Sequence, residues 1–136
     1  MNYSVEKLTT PTDCDTLMAM ANKEKSALEF RKLSLERNRE SYLGRSTQLA
    51  TDISLVNSEI AAFTTILAGL PDGETKEDTI SRKKKLEYRL FTLQEQNDNY
   101  GVVALLEKEM EISLTEKQLA EIALFSQAIA TRKAAL

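Results

Sequence analysis

Histidine and tryptophan are absent from this chain of 136 residues, cysteine occurs once, proline twice and glycine four times. Each scarcity removes a class of chemistry. Without histidine the commonest general base and metal ligand is missing, and most catalytic triads cannot be assembled. The di-iron site of helical bundles fails for the same reason, since it requires a histidine three residues after a glutamate. A single cysteine, Cys14, permits neither an intrachain disulfide nor a zinc site built on several thiolates. The glycines, at 44, 69, 73 and 101, are too scattered for a loop that cradles phosphate. These absences argue against an enzyme, and against a catalytic site, a bound metal, a cofactor or a small-molecule substrate.

Other shortages bound the architecture. Aromatic residues make up only 6% of the chain against 42% apolar and 29% charged, a balance suited to a thin helical seam rather than a thick core. The net charge of −3 is spread evenly: residues 1–71 carry 8 basic and 9 acidic groups, and residues 72–136 carry 10 and 12. No concentrated basic face marks a nucleic-acid partner. No uninterrupted apolar run approaches the roughly 20 residues of a membrane span, and Met1 to Thr10 does not have the charged start and apolar run of a leader. A soluble, cytoplasmic protein is expected, with proteins as its partners and no membrane.

What is present points to two long helices. Pro11 and Pro71 are the only prolines, which leaves 59 residues between them and 65 beyond them free of the strongest helix breaker. Thr10-Pro11-Thr12-Asp13 reads as a helix start, with a threonine cap, proline at the first helical position and an acid in the first turn. Leu70-Pro71-Asp72-Gly73-Glu74-Thr75 reads as a stop and tight turn. The expected organisation is an N-terminal arm over residues 1–10, extended or flexible, then one helical domain over 11–136, with a helix over 11–70, a turn over 70–75 and a second helix over 75–136.

A seven-residue stripe supports this reading: Cys14, Ala21, Leu28, Leu35, Tyr42, Leu49, Val56, Phe63 and Leu70, interleaved near the turn with Ile53, Ile60 and Leu67. After the turn, Leu86, Leu90, Leu93, Asn97, Tyr100 and Ala104 repeat the alternation of four and three, the coiled-coil period. In a hairpin, facing residues have numbers with a constant total. A total of 146 sets Ile60 against Leu86, Val56 against Leu90, Ile53 against Leu93, Leu49 against Asn97, Ser46 against Tyr100 and Tyr42 against Ala104. The expected fold is therefore all-α, a long antiparallel helical hairpin. Gly44 and Gly101 nearly face each other and suggest a shared kink, and Ser113-Leu114-Thr115-Glu116 has capping-box spacing that would let the second helix break near 113.

Two surfaces are candidates for function. Phe30, Leu33, Leu43, Leu55, Phe91, Val102, Leu105 and Ile112 fall outside the narrow seam, and surplus apolar surface of this kind suggests a homo-oligomer, most simply a dimer that forms a helical bundle. At the turn, Asp72, Glu74, Glu77 and Asp78 make an acidic tip, followed by a basic collar of Arg82, Lys83, Lys84 and Lys85. The leading reading is a non-enzymatic scaffold, a self-associating hairpin that mediates protein–protein contacts in a larger assembly. The alternative is a regulatory finger or stalk whose charged tip (72–85) engages a larger machine such as a polymerase or an export ATPase. Cys14 reads as a small buried member of the seam, and Glu107, Glu109 and Glu111 read as a solvated face.

Overall fold

The computed structural model describes all residues from Met1 to Leu136. It is 90% helical without strands, and its two long helices pack against each other as an all-α helical hairpin. After a short 3-10 turn at Val5–Lys7, α1 spans Pro11–Gly69, α2 spans Glu74–Tyr100 and α3 spans Val102–Ala134. The start of α1 has a physical cause: the Thr10 hydroxyl accepts the Asp13 amide at 3.2 Å, and Pro11 follows at the position where a missing N–H costs nothing.

The chain divides into two compact units, one of Arg39–Glu107 and one of Met1–Asn38 with Lys108–Leu136. In the first, Leu49, Val56 and Leu93 are buried, and Ile53, Ile60, Leu86, Leu90 and Tyr100 pack on them. These are the seam residues that a total of 146 brings together. Full burial of one such side chain is worth about 1.5–3 kcal/mol. Ser46 is buried, while Asn97, read as a seam position, is exposed. The Tyr42 and Tyr100 rings lie 5.4 Å apart, and the Arg45 guanidinium sits 4.2 Å over the Tyr100 ring.

The turn of this unit is short because Gly73 takes φ of 153°, a backbone conformation that side-chain-bearing residues rarely adopt. Its carbonyl accepts the Glu77 amide at 3.1 Å, which opens α2. Gly44 lies in an uninterrupted stretch of α1, with no atom within 4 Å of where a Cβ would stand. Gly101 is different. It is buried and adopts φ −79°, ψ −166° between α2 and α3, and its amide still donates to the Asn97 carbonyl at 2.8 Å while its carbonyl accepts the Leu105 amide at 3.1 Å.

This extended residue advances the buried stripe by one position. Before it, the stripe is Leu86, Leu90, Leu93 and Tyr100; after it, Leu105, Lys108, Ile112, Thr115, Leu119, Ile122, Ser126 and Ile129 are buried or half-buried, again in alternating steps of four and three. Each residue of a helix turns by about 100°, so a one-residue advance brings Leu105 inward. The second helical run is thus interrupted at Gly101 and is continuous through Ser113. The Thr115 hydroxyl, which a capping box would leave near a helix start, instead donates back to the Glu111 carbonyl at 2.8 Å, a bond that competes with capping.

In the other unit, Cys14, Ala21 and Leu35 of α1 and Thr115 and Ile129 of α3 are buried. The pairing here is marked by two ion pairs, Lys32 with Glu116 at 3.3 Å and Asp15 with Lys133, whose residue numbers total 148 in both cases. The first ten residues hold a single 3-10 turn, Val5–Lys7, and Leu8 after it is extended. Arg132 donates to the Leu8 carbonyl at 2.8 and 3.0 Å and to the Glu6 carbonyl at 3.3 Å, and the Tyr3 ring meets Phe125 edge-on at 5.0 Å. A guanidinium fork presents several donors in fixed geometry, which is why one side chain can hold two carbonyls.

Candidate functional site

The charged turn is built by local rules. Glu74 and Glu77 occupy the first turn of α2, where the exposed N–H groups favour negative charge. Asp72 pairs with Lys76 at 3.1 Å, and Lys83 with Glu87 at 3.8 Å, both one helical turn apart. Asp72, Glu74, Glu77, Asp78, Arg82, Lys84 and Lys85 are exposed, and Lys83 is half-buried. The tip therefore carries acids at its end and cations one to two turns along α2, most of them open to water. Charges so exposed steer an encounter more than they stabilise a complex.

The apolar candidates divide. Phe30 is 73% exposed, and Leu33, Leu43, Leu55, Phe91 and Val102 are also exposed. Leu105 is only 8% exposed and Ile112 is half-buried, so both belong to the seam and not to an outer surface. Their assignment outward follows from carrying the stripe through Ala104 without the advance at Gly101. The same advance hides a group that sequence reading missed: Val103, Leu106, Met110 and Leu114 are all exposed. Their spacing of three, four and four was the available signal, because it keeps them on one side of a helix.

Other candidates resolve into ordinary chemistry. Cys14 has no exposed surface, which suits a small apolar seam residue. Glu111 lies 3.7 Å from Lys108 and Glu107 is exposed, so the pair is solvated, and no three acidic or thiol groups converge on a common point. An open groove of 420 Å³ is lined by Arg45, Gln48, Asp52, Gln96 and Tyr100 over Leu49. Its polar groups already engage each other, Gln48 donating to Asp52 at 2.8 Å and Arg45 stacking on Tyr100.

The Tyr3 hydroxyl donates to the Glu121 carboxylate, and this bond, with desolvation and the negative charge of Glu121, raises the phenol above its usual 10.0. The cause is structural: ionisation would remove the donor and leave two negative oxygens together.

Comparison with protein-family models, with curated proteins and with solved structures gives no match. No helix is long and apolar enough to cross a membrane.

Proposed function

We propose that this protein is a non-enzymatic scaffold, a helical hairpin that self-associates and mediates protein–protein contacts within a larger assembly in the cytoplasm. The observation that carries this reading is its uncovered apolar surface. The chain exposes 9692 Å², where a compact protein of its mass exposes roughly 7,100 Å². Seventeen large apolar side chains contribute to that surface, among them Phe30, Leu55 and Phe91. The missing histidine and the occlusion of Cys14 support a role without catalysis.

The exposed acids and cations of residues 72–85 favour a second reading, a finger whose tip engages a larger machine. The two separate in one experiment: cross-linking in native lysate, followed by recovery and mass spectrometry, with the intact chain and with a variant carrying alanine at Asp72, Glu74, Glu77 and Asp78. Recovery of the protein linked to itself in both samples supports the scaffold. Loss of one specific machine with the tip variant replaces it with the finger, and recovery of only uncross-linked chain contradicts both.

A further inference from the structure

Residues 1–8 are tied to the hairpin by polar groups of α3. The Tyr3 hydroxyl donates to Glu121, and Arg132 donates to the Leu8 carbonyl at 2.8 and 3.0 Å and to the Glu6 carbonyl at 3.3 Å. Their own backbone bonds stay within the segment, from the Val5 amide to the Tyr3 carbonyl at 2.8 Å and from the Leu8 amide to the Val5 carbonyl at 3.0 Å. Tyr3, Val5 and Leu8 are half-buried, the other five are exposed, and none is buried.

The seat is only partly filled. An open cavity of 170 Å³ is lined by Val5 and Leu8 from the segment and by Leu17, Phe125 and Ile129 from α1 and α3. A second, of 160 Å³, is lined by Tyr3 and Phe125 together with Met20, Ala21 and Ile122. A segment packed as core leaves few such voids, because each forfeits the dispersion contacts of its lining. Few buried apolar contacts and an exposed backbone are the marks of a region that opens by itself.

The geometry points to a reversible strap: Arg132 latches residues 1–8 over an apolar groove of α1 and α3, and release frees that groove while the hairpin stays folded. The latch grips carbonyls, so it holds backbone whatever side chains that backbone carries. Selection comes from the seat, where Glu121 accepts a phenol proton, Phe125 meets an aromatic edge, and Leu17 and Ile129 face Leu8. The groove therefore fits an extended segment that carries a tyrosine and, five residues on, a leucine, and the chain's own first eight residues are its resident occupant.

The probe is a fluorescent peptide of residues 1–10 added to the full chain. In the intact protein the tethered strap excludes it, since a short tether gives an effective concentration in the millimolar range. Tyr3→Ser with Leu8→Ser weakens the strap and keeps the helical side of the groove intact, so this variant should bind the peptide at least about tenfold more tightly by anisotropy. Adding Arg132→Ala should remove that binding. Trypsin reads the opening without peptide: cleavage after Lys7 should be about tenfold faster in Arg132→Ala, which loses hydrogen bonds from a charged donor, with helical circular dichroism unchanged. Peptide binding that is equal in the intact chain and the strap variant, or absent from both, overturns the strap. Binding that survives Arg132→Ala overturns the latch, and loss of helix along with faster cleavage shows that the segment belongs to the hairpin's cooperative fold and overturns independent opening.

Discussion

Gly101 approaches Asn97 so closely that a Cβ at residue 101 would stand 2.2 Å from the Asn97 backbone carbonyl oxygen and 2.5 Å from its side-chain oxygen. No side chain fits there without moving the backbone that joins α2 to α3. The hydrogen-bond ladder passes through this residue on both sides, so the one-residue advance of the buried stripe depends on it.

Substituting Gly101→Ala should therefore destabilise the protein by about 2 kcal/mol or more, because the added methyl collides with the Asn97 carbonyl and the joint has to shift. Gly44→Ala, where the added methyl meets open space, should stabilise by about 0.8–1 kcal/mol through helix propensity. Urea denaturation of the two variants checks the contrast, and equal shifts in the same direction would contradict it.

Much of the hairpin was legible because its determinants are local. Thr10-Pro11 starts α1, Gly73 turns the chain, and the stripe from Cys14 through Leu70 is buried or half-buried at every member. Gly101 was legible as a weak point but not as a phase change, since a glycine inside a helical pattern is also compatible with an unbroken helix. That one ambiguity misplaced Leu105 and Ile112 and concealed Leu106, Met110 and Leu114. Docking of the first ten residues was out of reach for a different reason. Tyr3 meets Glu121 across 118 positions, and no periodicity links residues so far apart.

Val56 is 3% exposed in the centre of its cluster, whereas its neighbour Leu55 is 57% exposed. Val56→Asp should cost several kcal/mol by burying a charge without a partner. Leu55→Asp should fall within about 0.5 kcal/mol, the usual range for surface positions. Thermal unfolding followed by circular dichroism, at a concentration low enough to keep the chain dissociated, separates the two.

The Cys14 thiol, fully occluded in the first turns of α1, should react with a thiol reagent only when the chain opens. Its labelling rate should be at least about a hundredfold below that of a free thiol in native buffer, and should rise to the free value in denaturant. Rapid labelling without denaturant would show that this end of the seam is open.

Tyr3 links pH to the docking of the first ten residues. Its phenol is raised in the folded state above the usual 10.0 by the bond to Glu121. The contribution of that bond is thus complete below pH 10 and is lost as pH rises through the folded value. Absorbance titration at alkaline pH should show a component that ionises above the usual phenol value, absent in Tyr3→Phe and moved to lower pH in Glu121→Gln. Identical titration curves for wild type and Glu121→Gln would contradict the bond.

Seventeen large apolar side chains are exposed on the single chain, and the self-association proposed for it is read by sedimentation equilibrium of the intact protein over a wide concentration range. The expected result is a concentration-dependent rise to twice the chain mass of 15.3 kDa; a mass that stays at that of one chain throughout would rule self-association out.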